Sequence, residues 1–303
     1  MFVKKLAGVA ALCLLVSCAE SPEELAQSIH ESADQGDAAA IEKILAVNSD
    51  LVHHRSNDRR ERTPLHEAAT LQVAQILIDH GADLHAEDRL NWTPLHTAAS
   101  AEVARFLISR GADVHAEAQK QLTPLHVVKD PSVAEVLISH GADVNRKSRD
   151  GVMPLQKHIQ DTRPQIVRVL LAHGAKTRLE RRDKKTLLHY AANRTSPETI
   201  QILLKQGLQV NATDQVKATP LHYAVLKDCP VVAAVLLENG ALPNAKLSED
   251  AAVFTSPGSS SPWGRPVAGF APLDLAESQP MKDLLRRHGA RQASSASISL
   301  RGK

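Results

Sequence analysis

Aromatic residues are scarce in this sequence. Only 3% of the 303 residues are Phe, Trp or Tyr, with two Trp, two Tyr and four Phe. The core must therefore be built mainly from aliphatic side chains. Each Trp or Tyr is conspicuous, because these residue types are enriched at the energetic centres of protein interfaces.

Long hydrophobic runs are missing except at the N-terminus. The basic start Met1–Lys5 is followed by an apolar run from Leu6 to Val16. This run is too short to span a bilayer as a mature helix. A basic start with a short apolar run is typical of a secretory signal peptide.

The segment Leu15-Val16-Ser17-Cys18 is similar to the lipobox of bacterial lipoproteins. The resemblance implies cleavage before Cys18, so that residues 1–17 form the signal peptide and residues 18–21 a lipidated tether with acyl chains such as palmitate. Two alternatives stay open: an ordinary signal peptide with another cleavage site, which gives a secreted periplasmic protein, and a cytosolic protein with an apolar start. For a Gram-negative source, the absence of Asp at Ala19 favours the outer membrane.

An excess of charge of one sign is also missing. The chain has 36 Lys and Arg against 34 Asp and Glu, and loss of Lys4 and Lys5 with the signal peptide makes the counts equal. This balance indicates no global preference for nucleic acid or anionic lipid. Cysteine is rare too: Cys13 leaves with the signal peptide, and lipidation of Cys18 leaves Cys229 alone, so no internal disulfide can form.

A repeated tetrapeptide dominates the rest of the chain. Thr-Pro-Leu-His begins at Thr63, Thr93, Thr123 and Thr219, and altered copies begin at Met153, Thr186 and Ala271. The starting positions step by 30, 30, 30, 33, 33 and 52 residues. A period near 30 predicts one small unit stacked many times.

Each copy predicts the same local structure. Thr63 is a favourable N-cap, and Pro64 suits the first helical position because its missing N–H has no helical partner there. An apolar run over Val73–Ile78 predicts a second helix, which should end at Gly81. The polar stretch that follows predicts an extended finger leading to the next copy.

These motifs resemble the ankyrin repeat, which the matching Gly81-Ala82-Asp83 and Gly111-Ala112-Asp113 segments support. The resemblance implies an all-α repeat solenoid of about eight helix-turn-helix units with β-hairpin-like fingers over residues 22–291. A polar C-terminal tail occupies residues 292–303. Repeats two to four lack about three residues, so we expect a tighter turn between their helices. Around Val128-Lys129 and His158-Ile159 we expect less regular packing.

Fifteen histidines raise the question of a metal site. Equivalent histidines lie one repeat apart, whereas metal ligands must converge on one point. The resemblance implies that the tetrapeptide histidine instead bonds to backbone and to the neighbouring Thr hydroxyl. We find no nucleophile elbow, phosphate loop or paired-cysteine motif. We therefore expect no enzyme activity, no metal and no cofactor.

One insertion interrupts the seventh repeat at about residues 251–270. It is rich in Ser, Pro and Gly, which predicts a loop without its own core, and it contains Phe254, Trp263 and Phe270. Insertions in such repeat proteins often lie on the binding face. The alternative is a tolerated loop whose aromatic side chains pack back on the last repeat.

The resemblance also implies a concave face built from the fingers and first helices. Its exposed positions lie just before the tetrapeptide and just after its histidine. Trp92 occupies the first kind of position, and Tyr190 and Tyr223 occupy the second. A basic run over 176–185 should add a charged finger, or else be a solvated one. The candidate partner-binding residues are Arg89, Trp92, Lys120, Leu122, Arg149, Arg182, Lys184, Tyr190, Tyr223 and Trp263.

These features predict a membrane-anchored lipoprotein that works as a protein-interaction module in the bacterial envelope. We expect a monomer that faces the periplasm, binds a protein there and does not bind nucleic acid. Two further functions remain open. The protein could be an immunity-type inhibitor of a periplasmic toxin or hydrolase, or a structural docking factor for an envelope complex or cell-wall polymer.

Overall fold

The computed structural model describes residues 21–180, 182–248 and 269–292, and these residues form helices, turns and loops with no β-strand among them. They divide into two compact units. The N-terminal unit runs to Pro154 and the C-terminal unit begins at Leu155, at the start of the fifth repeat. The predicted all-α repeat fold is confirmed.

The N-terminal unit begins with an eroded repeat. Its helices are Pro22–Gln35 and Ala38–Val47, followed by a 3₁₀ turn over Ser49–His53. Ser21 starts the first helix with a capping box, because its hydroxyl accepts from the Glu24 N–H at 3.3 Å while its own N–H donates to the Glu24 carboxylate at 2.8 Å.

The later repeats all contain a short first helix and a longer second helix. The first helices are Pro64–Glu67 (3₁₀), Pro94–Thr97, Pro124–Val127, Pro154–Gln160, Leu187–Asn193, Pro220–Leu226 and Pro272–Leu275. The second helices are Leu71–Asp79, Ala101–Ser109, Pro131–Ser139, Pro164–Ala172, Pro197–Lys205, Pro230–Glu238 and Gln279–Arg287. Every one of these second helices therefore has nine residues, and in all but the altered copy at Thr186 the first helix starts at the predicted proline.

The prediction of a tighter turn in repeats two to four is wrong. Three residues join the two helices in short and long repeats alike, for example 98–100 in repeat three and 194–196 in repeat six. The missing residues come from the first helix, which has four residues in repeats two to four and seven in repeats five to seven. The longer helices end in a left-handed turn at Thr162, Thr195 and Asp228, which the short repeats lack.

Aliphatic side chains fill the core between helices. The tetrapeptide residues Leu65, Leu95 and Leu125 are at most 2% exposed, and the second-helix residues Leu77 and Leu107 are fully buried. Val128, His158 and Ile159 are buried too, whereas Lys129 is exposed. The less regular packing expected around them stays a prediction.

Within each unit, neighbouring fingers are joined by backbone hydrogen bonds. In the N-terminal unit the Arg89 N–H donates to the Arg60 carbonyl at 2.9 Å, and the Arg149 N–H donates to the Lys120 carbonyl at 2.8 Å. A second bond, from the Asp88 N–H to the Trp92 carbonyl at 2.9 Å, closes one finger on itself. Within each unit, the bonded fingers are thus hairpin-like turns that lie side by side.

Candidate functional site

The tetrapeptide histidines connect neighbouring repeats. His66 Nδ1 accepts from the Thr63 N–H at 3.1 Å and lies 2.8 Å from the Thr63 hydroxyl. Its Nε2 then donates to the Trp92 carbonyl of the next repeat at 2.8 Å. The same arrangement recurs at His96, His126 and His189, whose Nε2 atoms donate to the carbonyls of Leu122, Val152 and Ala218.

These bonds require a neutral ring, because Nδ1 accepts while Nε2 carries the proton. Burial lowers the pKa of His66 and His189, and it lowers the pKa of His96 and His222 to about 4. The implied structural role of the histidines is confirmed by these contacts. Among the described residues, no group of three or more His, Cys, Asp or Glu side chains could hold a metal ion.

Trp92 lies half-buried at the base of a finger in the N-terminal unit. Asp88 holds this finger in shape, since its Oδ1 accepts from the Leu90 N–H at 2.7 Å and the Trp92 N–H at 3.0 Å. The indole stacks on His96 with 6.1 Å between ring centroids, and the Arg60 guanidinium lies 5.0 Å from its centroid on the ring face. Trp92 is therefore a fixed ring at the surface, which lowers the entropy lost when a partner binds.

Two arginines lie beside the buried carboxylate of Asp88. Its Oδ2 is 3.6 Å from Arg62 Nε and 3.9 Å from Arg60 Nη1. These distances exceed hydrogen-bond length, so charge alone holds the three groups together. The sequence predictions overlooked Asp88, although its place five residues before Thr93 marks it as a finger residue.

A groove of about 330 Å³ passes beside Trp92 in the N-terminal unit. It is bounded by Ala69, Ala98, Ala99 and Val128, which directly follow the short first helices. Asp34, Arg62, Glu67 and Lys129 add charge to its walls.

The short first helices explain why this groove is open. In repeat six, Ala191 and Ala192 lie inside the seven-residue helix and are fully buried. The equivalent Ala98 is half-buried and Ala99 is exposed, because the helix of repeat three has already ended. Loss of three helical residues therefore leaves Ala99 exposed in repeat three, although Ala68, the counterpart of Ala98 in the short repeat two, is buried.

The prediction that Tyr223 is exposed on the concave face is wrong. The side chain is buried, with 3% exposure, and its hydroxyl donates to Asp214 Oδ2 at 2.7 Å. Burial and the Asp214 charge raise the pKa of Tyr223 above its usual range. Because it is held inside the repeat by Asp214, this ring cannot serve as a partner anchor. Tyr190, at the equivalent place in repeat six, is half-buried.

The predicted basic residues fall into two groups. Arg89 pairs with Glu61 at 2.7 Å and Lys120 with Asp150 at 3.5 Å, so acidic neighbours offset their charge. Arg149, Arg182 and Lys184 are exposed. Leu122 is half-buried, and its carbonyl accepts the hydrogen bond from His96 Nε2.

Cys18 and Trp263 lie outside the described residues, as does most of the 251–270 insertion.

A further polar cluster went unnoticed in the sequence. His30 Nδ1 lies 2.7 Å from Glu67 Oε2, and His30 Nε2 lies 3.1 Å from His54 Nδ1. Burial and the proximity of His30 lower the pKa of His54. The cluster joins repeats one and two, and its residues are 13 to 37 positions apart in the sequence, so no local motif could reveal it.

Comparisons with known proteins agree with this geometry. A family model for ankyrin repeats in three copies matches residues 29–118, 125–214 and 155–246. This chain belongs to the ankyrin repeat family. None of the curated proteins compared with it matches.

Solved ankyrin structures are similar in fold. The human ASB11 ankyrin repeat domain has 19% identity and a TM-score of 0.55, and the match covers 90% of this chain and 100% of that one. The ankyrin repeat domain of Bcl-3, titled a unique member of the IkappaB protein family, has 21% identity and a TM-score of 0.52, with 86% and 97% covered. Ankyrin repeats generally mediate binding to protein partners. In the described part of the chain, no helix is long and apolar enough to cross a membrane.

Proposed function

We propose that this ankyrin repeat protein is a lipid-anchored interaction module of the bacterial envelope, and that its partner docks in the groove beside Trp92. The observation that carries the proposal is the groove itself. A ring held in place by Asp88, His96 and Arg60 stands beside a floor of exposed and half-exposed alanines. Rigid aromatic anchors next to small apolar pockets are typical of interface centres.

The occupant is an extended segment of a partner protein. The groove runs past the ends of three successive first helices, so a narrow chain fits it better than a broad surface does. Its walls offer both charges, with Asp34 and Glu67 against Arg62 and Lys129. An apolar side chain of the partner would lie beside Trp92, while polar groups on either side pair with these walls.

The mechanism is steric and electrostatic, without a chemical step. The tetrapeptide histidines are committed to bonds within the fold. In the envelope, capture by a tethered module would hold the partner near the membrane or block its active surface. The Cys18 anchor is proposed from the lipobox resemblance.

In-cell photocrosslinking tests the proposal. A photoreactive amino acid at Lys129, which lines the groove, should give a crosslink to one defined protein. Ala99→Arg should abolish it, because a long side chain then fills the groove, whereas Ala39→Arg changes an exposed alanine outside the groove and should leave it intact.

A second variant tests the origin of the groove. Insertion of Asn-Arg-Thr between Ala99 and Ser100 gives repeat three the sequence of repeat six at this point. It should lengthen the first helix, bury the alanine floor and also abolish the crosslink, while circular dichroism shows a folded protein. Crosslinking that survives both changes would rule out the groove as the docking site.

The lipid anchor is tested by Cys18→Ser, which should release the protein from the membrane fraction. If the variant stays in the membrane fraction, Cys18 is not the anchor.

A further inference from the structure

The balanced charge of the whole chain conceals two oppositely charged halves. The N-terminal unit, counted over residues 21–154, has 13 Lys and Arg against 21 Asp and Glu, a formal charge of −8. The described residues of the C-terminal unit have 17 basic against 10 acidic residues, a formal charge of +7. An excess of positive charge in one half favours an anionic partner there, which could be nucleic acid, an anionic membrane or an acidic protein segment.

The fingers of the N-terminal unit neutralise their basic side chains locally. Arg89 pairs with Glu61, Lys120 with Asp150, and Arg146 with Glu117. Each pair joins two neighbouring fingers. Arg149 is exposed there, but these pairs and the formal charge of −8 leave the unit with no excess of positive charge.

The two fingers that precede Thr186 and Thr219 differ. They are adjacent, because the Gln215 N–H donates to the Asp183 carbonyl at 2.9 Å. Lys184 and Lys217 occupy equivalent positions two residues before Thr186 and Thr219, and both have left-handed φ values, of 54° and 59°.

Two further basic side chains belong to the first of these fingers. Arg178 and Arg182 are exposed nearby in sequence. No carboxylate among the described residues forms an ion pair with any of these four side chains. Like charges on adjacent tips repel one another, so an anionic partner relieves a cost already present in the free protein. We call Arg178, Arg182, Lys184 and Lys217 the basic finger surface.

We propose that the basic finger surface binds an acidic segment of a partner protein. The inference rests on the proposed interaction function and adds the chemistry of a partner at the C-terminal unit. Arginine and lysine on rigid turns can pair with successive carboxylates of an extended acidic segment.

Other polyanions fit the surface less well. Single-stranded nucleic acid binding uses aromatic rings as stacking platforms, and Tyr223 is buried under these fingers with Lys185 over its ring at 5.4 Å. A bilayer surface is best met by basic residues mixed with exposed apolar ones. The large exposed apolar residues among the described residues of the C-terminal unit are Val231 and Leu242. Val231 lies on the helix Pro230–Glu238 and Leu242 follows that same helix, so neither is at the two finger tips.

Fluorescence anisotropy with a labelled decaglutamate peptide tests the proposal on the full chain. Binding at low salt should weaken at least about tenfold as ionic strength rises to near-physiological values. The triple variant R182E/K184E/K217E should weaken it at least about tenfold, since three attractive contacts become repulsive. The control K43E/R59E/R105E makes the same change of charge at exposed positions of the N-terminal unit and should have little effect.

Three outcomes would overturn the inference: equal binding by the triple variant, equal weakening by the control, or tighter binding of single-stranded DNA or of anionic phosphatidylglycerol vesicles than of the peptide. The groove proposal is tested separately, because Ala99→Arg should leave decaglutamate binding unchanged. Loss of the groove crosslink together with intact peptide binding would therefore confirm both surfaces as independent.

Discussion

The repeats of the N-terminal unit and the first three repeats of the C-terminal unit differ in one element, and the last repeat, with the four-residue first helix Pro272–Leu275, is short again. Repeats two to four have first helices of four residues, and repeats five to seven have first helices of seven. The linkers and second helices have the same lengths in both. The first helix is thus the adjustable part of the repeat, and shortening it exposes Ala98 and Ala99 where Ala191 and Ala192 are buried.

A second difference concerns the finger aspartates. Asp88 and Asp214 each use Oδ1 to hold two N–H groups of their own finger. The remaining oxygen faces Arg62 and Arg60 in the N-terminal unit and accepts the Tyr223 hydroxyl in the C-terminal unit. Asp88 therefore helps to hold Trp92 at the surface, whereas Asp214 binds the hydroxyl of the buried Tyr223.

Acid should destabilise both units in parallel, because each contains two buried neutral histidines with lowered pKa values: His66 and His96, and His189 and His222. The unfolded chain has histidine pKa values near 6.5 and so binds more protons than the folded state as the pH falls. The stabilisation is complete above about pH 6.5 and is lost as the pH falls toward 4. With folded values of about 4, His96 and His222 each account for a loss of about 2 kcal/mol at about pH 5.

Urea unfolding at about pH 7.5 and pH 5 measures this loss, and hydrogen exchange resolved by repeat assigns it to each unit. His80→Gln changes an exposed histidine and should preserve the pH dependence. A loss of stability at about pH 5 that is confined to one unit would show that the buried histidines of the two units respond differently to acid.

Tyr223→Phe should destabilise the C-terminal unit by about 1–3 kcal/mol, because a buried Asp214 oxygen loses its donor. Thermal unfolding measures the change. Adding Asp214→Asn in a double-mutant cycle isolates the pair. Because Asp88 has no tyrosine partner, hydrogen exchange in the N-terminal unit should be the same in the Tyr223→Phe variant as in the unchanged protein. If Tyr223→Phe lowers the stability of the C-terminal unit by less than a few tenths of a kcal/mol, the hydrogen bond from the Tyr223 hydroxyl to Asp214 makes no net contribution to folding.

The sequence predicted the fold because its signals are local. A Pro at the start of all but one of the later first helices and a Gly after each later second helix determine where these helices start and end. Tyr223 was misplaced because its position depends on Asp214, nine residues earlier, and not on the motif that precedes it. Sequence spacing shows that repeats two to four are three residues shorter, but not which element shortens. The prediction that the turn shortens is wrong for this reason, and the structure shows that the first helix does. The opposite charges of the halves were countable, yet the boundary at Pro154 became known only from the structure.

The smallest expected effect concerns the turn that only the long repeats contain. Thr195 adopts φ 55°, a left-handed conformation that is unfavourable for a β-branched residue, and its side chain is exposed. Thr195→Gly removes this strain but makes the unfolded chain more flexible, so we expect a net stabilisation of up to about 1 kcal/mol.

Ser100→Gly in the short repeat three is the matched control. Ser100 caps the helix Ala101–Ser109 from an extended conformation, with φ −146°, so glycine there should destabilise by a few tenths of a kcal/mol. If urea unfolding shows that Thr195→Gly raises the free energy of unfolding and Ser100→Gly lowers it, the left-handed strain belongs to the turn of the long repeats. A Thr195→Gly variant with lowered stability would show that no such strain exists.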